Sequence, residues 1–289
     1  MSQLAAAAPA EAETTLVADP RARARARHQK TLVRVLQLAV FVVFVGGWEV
    51  LSRLNVLDPF FFGQPSRIVV QMWDWVRTGT EAGSIWTQVG VTMQEALLGF
   101  AIGVVAGIVC GIALGRIPIL SRVLGPYIKI MNSIPRIVLG SIFIVWLGLG
   151  LASKVALAIV LVFFAVFFNA YQGTREVDRN LVANARILGA SGRQVTTQVV
   201  LPSALTWIIA SLHVSFGFAL IGAIVGEFLG AQQGLGLLIR QAQDTFNPNA
   251  VFAAMVIIAV VALVAEGLIA LLERVLLSWR PPQLSGTEL

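Results

Sequence analysis

The chain has 289 residues, of which 57% are hydrophobic and only 12% charged, and its mean hydropathy is +0.82. A soluble domain carries about a quarter of its residues charged, so this composition excludes one and points to a protein built into a membrane. The net charge of +6 then reads first as a report on topology and only second as a sign of an acidic partner such as nucleic acid.

In chain order, the first segment is Ala-rich, with Glu11, Glu13 and Asp19 ahead of a run in which Arg21, Arg23, Arg25 and Arg27 alternate with alanine. It lacks apolar residues to build a core, so residues 1–31 are expected to form a disordered basic tail lying against lipid headgroups. The apolar run that follows comes after the basic block and shows no small-residue cleavage pattern, which reads as a retained anchor. Uncharged stretches occupy 35–48, 96–115, 137–153, 155–174, 194–226 and 245–265. A helix needs about twenty residues to cross the hydrocarbon. The first stretch is therefore extended to Arg34 and Glu49, and the third back through Pro126–Arg136. The expectation is an all-α membrane protein with six transmembrane helices, a membrane domain over 32–277 and a short tail at 278–289.

Between the first two crossings lie Pro59, the cluster Phe60, Phe61 and Phe62, and Pro65. Ser66 is expected to cap an amphipathic helix running to Val76, whose Trp73 and Trp75 suit the headgroup zone. In the second crossing Gly103, Gly107, Gly111 and Gly115 recur every four residues. They make one glycine face, for close packing within the chain or across a dimer seam. The lone cysteine, Cys110, has packing as its default role. Pro135 breaks the backbone ladder, and Arg136 beside it is costly in hydrocarbon. It either faces a cavity or pathway that an anion could use, or lies near the interface and pairs with Glu95 or Glu227. His213 in the fifth crossing is a polar pathway residue or a bond to a neighbouring helix. Gly217, Gly222 and Gly226 give flexible lining or close packing.

The polar segment 175–203 interrupts the membrane domain. Asp178 is placed to cap a short helix, Ala183, Ala185 and Gly189 give that helix a slim surface, and Gly189 ends it. Ser191 and Gln194 stand in capping-box spacing to open a second helix, and Pro202 sits where the chain turns into the bilayer. Lys and Arg placement supports one topology: with six crossings, fourteen fall on the side of the termini and this segment, against five opposite. Both termini and the segment are therefore expected in the cytoplasm.

The segment resembles the cytoplasmic coupling loop of ABC importer permeases, whose pattern is Glu-Ala-Ala, three residues, Gly, nine residues, Ile-x-Leu-Pro. Gly189, Leu201 and Pro202 match in spacing, Val199 takes the Ile place and Ala185 the second Ala, while Ala183 stands where the family has Glu and Asn184 where it has Ala. Pro65-Ser66, Pro135-Arg136-Ile137, Trp146 through Gly150, Gly226-Glu227 and Gly234-Leu235-Gly236 are similar to permeases for nitrate, taurine, alkanesulfonates and thiamine-precursor pyrimidines. This resemblance implies the type I ABC importer permease fold, working as a homodimer by alternating access. It implies coupling through Ala183, Ala185, Arg186, Gly189, Ala190, Ser191, Leu201 and Pro202, and makes Pro135, Arg136, His213 and Glu227 pathway candidates. Two copies of a separate cytoplasmic ATP-binding subunit would hold ATP and Mg. An extracytoplasmic solute-binding protein would dock near residues 55–90 and 228–249. The chain itself is expected to bind no cofactor, metal or nucleic acid.

None of the three lysines, Lys30, Lys129 and Lys154, follows a glycine, so no Walker phosphate loop is present, and two histidines with one cysteine make no metal or nucleophile set. An enzyme is not expected. A secondary transporter would need an internal repeat and a central carboxylate, and neither is evident in the sequence. The solute is expected to be a small anion such as nitrate, a sulfonate or taurine, with a thiamine-precursor pyrimidine or another aromatic as the alternative.

Overall fold

The computed structural model describes residues 20–276, and the chain divides at Leu57 into two units. The first is the helix α1, Pro20–Arg53, followed by a turn. Its start lies inside the stretch expected to be disordered. Arg and Ala are both strong helix formers, and Pro is tolerated in a first turn. From Thr31 onward it is long and apolar enough to cross a membrane, and Leu38, Val43 and Phe44 on it are exposed. Residues 1–19 of the expected basic tail and the expected tail at 278–289 lie outside the described residues.

The second unit contains the remaining helices. Two short ones, α2 (Pro59–Phe62) and α3 (Pro65–Arg77), precede the long α4 (Ile85–Arg116). Gln64, not Ser66, occupies the N-cap position of α3, because Pro65 takes the first helical position. Trp73 is exposed and carries Arg77 over its ring, whereas Trp75 packs inward on a cluster of Ile85, Leu235 and Leu238.

The third expected crossing is broken. Helix α5 (Pro118–Ser133) stops because Ile134 precedes a proline and is held extended, at φ −75° and ψ 129°. A tight turn, Arg136–Val138, leads into α6 (Leu139–Leu147), and the two arms meet at 77°. Gly148, at φ +79°, ends α6. Ser153 therefore belongs to the next helix, α7 (Leu151–Arg175), and not to the stretch 137–153. Among the described residues five helices are long and apolar enough to cross, or six if the bent pair counts as one.

After α7 come α8 (Arg179–Ile187) and α9 (Gly192–Val195), then a wide turn of π type, Thr196–Val200, that runs without a break into α10 (Leu201–Leu229). Pro202 thus does not stop a helix. It lacks an N–H to bond back, and the wider turn before it relieves its ring's crowding on the preceding backbone. Helices α11 (Leu235–Asp244) and α12 (Pro248–Leu276) complete the unit.

The core is the layer of α4, α7 and α10. Ala96 of α4, Val162 and Val166 of α7, and Phe216, Ala219 and Ala223 of α10 meet there. The glycine face of α4 is spent within the chain, on α7. A Cβ added at Gly103 would lie 2.8 Å from that of Val162, and one at Gly111 would lie 2.7 Å from the carbonyl oxygen of Phe167. Gly222 and Gly226 bring α10 against Ala158 and Lys154 in the same way, while Gly217 faces open space.

Candidate functional site

Three places in this scaffold bear on function. The first is the elbow between α7 and α10. Asp178 caps α8 through the N–H of Asn180 at 2.8 Å. Gly189 adopts φ +82°, a conformation that costs an L-residue about 1–2 kcal/mol, so the chain can reverse there. Ser191 and Gln194 complete a reciprocal capping box at the start of α9. A small core of Val177, Val195 and Val200, with Val182, Ala185 and Ala190 against it, holds the two helices together.

That core takes Ala185 and Ala190 inward, and Leu201 and Pro202 are half-buried in the helix that follows. The outward surface is Ala183, Arg186, Gly189 and Ser191, together with two residues the sequence reading did not single out, Ile187 at 82% exposure and Leu188 at 86%. Their signal was present: two bulky apolar residues directly before a reversing glycine, opposite the inward face set by Val182 and Ala185. Arg116, at the end of α4, reaches the elbow through the carbonyl oxygen of Gly192.

The second place lies at the far end of α10. Glu227 is 0% exposed and accepts hydrogen bonds from Thr92 Oγ1 at 2.6 Å and from the N–H of Gly236 at 2.7 Å. Thr92 Oγ1 in turn accepts from the N–H of Leu235, and Gln88 Oε1 accepts from the N–H of Gly234. The Gly234-Leu235-Gly236 run is thereby clamped onto α4 and α10. Side chains at both glycines are excluded by contact with Glu227.

Glu95, 3% exposed, lies beside Glu227. Lys154, 1% exposed and bonded to the carbonyl oxygens of Leu149 and Gly150, is close to both. The fold therefore buries two carboxylates side by side, Glu227, expected from sequence as a pathway residue, and Glu95, expected only as an alternative partner of Arg136. The sequence signal for Glu95 is a polar stripe at 88, 92 and 95 on an otherwise apolar helix. Glu227, proposed from sequence as a pathway residue, sits inside this clamp, whereas Glu95 and Lys154 line an adjoining cavity of about 510 Å³ with Gln94 and Gln233. At the same end Phe60 stacks on Phe246 and the N–H of Gln64 donates to Asn249, which brings residues near 60 and near 247 together.

The third place is Arg136, at the bend between α5 and α6. It pairs with neither Glu95 nor Glu227. Its guanidinium lies 4.7 Å from the ring centre of Phe164 and donates to Asn132. Phe164 stands near the middle of α7, so the charge is at mid-span rather than at an end. His213 is half-buried on α10, apart from these three places. Among the described residues no group of His, Cys, Asp and Glu is arranged to hold a metal ion.

Comparison with known proteins identifies the family of this helical membrane protein. Residues 103–277 match the family model of the binding-protein-dependent transport system inner membrane component. The chain belongs to this family of permeases. A Bacillus subtilis relative named as an aliphatic sulfonates transport permease, SsuC, is 32% identical across 82% of this chain and 85% of its own length. The permease is 30% identical to ThiX of Halalkalibacterium halodurans, named as a formylaminopyrimidine transport permease, across 84% of this chain and 95% of that one. It is 26% identical to the taurine transport system permease protein TauC of Escherichia coli, across 84% and 89%. Among solved structures, inward facing conformations of the MetNI methionine ABC transporter share its fold at a TM-score of 0.50 and 20% identity, over 70% of this chain and 97% of that one. The permease thus has the type I ABC importer fold.

Proposed function

We propose that the chain forms the translocation pathway of an ATP-driven importer. It takes a small solute, an anion such as nitrate, a sulfonate or taurine, from an extracytoplasmic solute-binding protein and passes it to the cytoplasm. The observation that carries this reading is the elbow. Ile187 and Leu188 are the two most exposed large apolar side chains of the described residues, and they stand on a capped, self-supporting polar projection where lipid is not expected. Such a surface needs a protein partner. A separate ATP-binding subunit on the cytoplasmic face, in two copies that hold ATP and Mg, fits it. The permease would work as a homodimer.

In this reading, closure of the ATPase pair pushes α8 and α9. Because α9 continues into α10 without a loop, the push is delivered to the helix that ends at the Glu227 clamp, and the pathway alternates between its two openings. The binding protein would deliver solute at the end where α2, α3 and α11 gather.

The test is reconstitution of the permease with its ATPase and binding protein in proteoliposomes. Solute-loaded binding protein is expected to stimulate ATP hydrolysis. Replacing both Ile187→Ser and Leu188→Ser is expected to abolish co-purification of the ATPase while the permease remains monodisperse. Full solute-stimulated hydrolysis by that double variant would overturn the assignment of the elbow.

A further inference from the structure

A cavity of about 340 Å³ opens between the bent α5–α6 arm and α7. Its walls are Ile134, Phe143, Ile159, Phe163 and Phe164, with other aliphatic side chains, and the single polar side chain in the lining is Arg136. The guanidinium is fixed by its stacking on Phe164 and its bond to Asn132, yet Nε is buried and has no hydrogen-bond partner. Among the described residues no carboxylate forms an ion pair with it. A cation held at mid-span without a counter-ion is costly, and such residues mark the paths of charged solutes. A planar fork with free donors suits the oxygens of a sulfonate or carboxylate.

From this geometry we infer that the cavity is a binding site for an amphipathic organic anion, with its acid group on Arg136 and an aliphatic or aromatic body against Phe143, Phe163 and Phe164. The inference rests on the transport reading above and sharpens it. A compact ion such as nitrate, or a zwitterion such as taurine, would meet the guanidinium but would gain nothing from walls that offer no further polar group, and would lose its hydration in entering. An anion with a hydrocarbon body replaces that hydration with burial of its own apolar surface.

The experiment is direct binding of radiolabelled pentanesulfonate to the full-length chain in phosphatidylcholine nanodiscs, without ATPase, ATP or binding protein. Failure of coupling therefore leaves it unaffected, and its failure leaves coupling untouched. Saturable binding is expected, displaced by unlabelled pentanesulfonate and not by equal concentrations of nitrate or taurine. Arg136→Gln is expected to weaken it by about tenfold or more, the worth of a charge-assisted hydrogen bond, with Arg136→Lys between the two. Should Arg136→Gln fail to fold, Ile159→Trp, which fills the cavity with an apolar ring, is expected to remove binding from a monodisperse protein. Absence of saturable binding, equal displacement by nitrate, or unaltered binding in Ile159→Trp would overturn the proposal. So would binding that phosphatidylglycerol in the nanodisc abolishes altogether, which would make the site one for lipid headgroups.

Discussion

Glu227 has two donors, Thr92 Oγ1 and the Gly236 N–H, and both come from other elements. Removing the carboxylate leaves the Gly236 N–H unpaired in a buried place, at about 1–3 kcal/mol, and leaves the Thr92 hydroxyl only the Gln88 carbonyl oxygen at 3.1 Å. Glu227→Ala is therefore expected to lower the thermal midpoint of the detergent-solubilised permease well below that of Glu227→Gln, which keeps one acceptor oxygen. Equal midpoints would show that the clamp contributes little. Gly234 is constrained twice, by φ +114° and by the Glu227 carboxyl where a Cβ would go, so Gly234→Ala is expected to prevent folding. The capping box of Ser191 and Gln194 was legible in sequence because its partners are three residues apart. The bond from Thr92 to Glu227 spans 135 residues, and no local pattern announces it.

At the scale of elements, the four-residue recurrence of glycine on α4 could be read as a packing face from sequence alone. What it packs on could not, since a slim face fits a neighbour in the same chain or in a second copy equally well. The structure gives it to α7. Gly107→Val is expected to force α4 and α7 apart, because a Cβ there lies 3.0 Å from the carbonyl oxygen of Phe163. The overpacking is expected to cost about 1–3 kcal/mol or more, read as a lower thermal midpoint. Gly217→Ala is the matching control: nothing lies near its Cβ, and helix propensity favours alanine by about 1 kcal/mol. A stabilising Gly107→Val would refute this account of the contact. The bend at Ile134 was half legible. Pro135 signalled a break, but its 77° angle depends on how α6 seats against α7 and α10, which periodicity does not encode.

At the scale of the whole molecule, the expected topology of six crossings puts the elbow and most of the Lys and Arg on the cytoplasmic side. It is tested by placing single cysteines in a chain carrying Cys110→Ser. With the elbow cytoplasmic, Phe246→Cys is expected to react with a membrane-impermeant maleimide added to intact cells, and Leu188→Cys only after lysis. Both native side chains are well exposed, so the contrast reports sidedness and not burial. Reversed labelling would invert the molecule and remove the partner assignment with it.

The unbroken rod from Gly192 to Leu229, 38 residues, is about 57 Å long at helical rise. One end of it forms part of the elbow, and near the other end Glu227 ties it to Thr92 of α4. The irregularities of the rod, the π turn Thr196–Val200 and Pro202, lie together at the elbow end, which leaves the rest of the run regular helix. Under the proposed coupling, a small tilt imposed at the elbow would therefore reappear, in the opposite sense, at the Glu227 end.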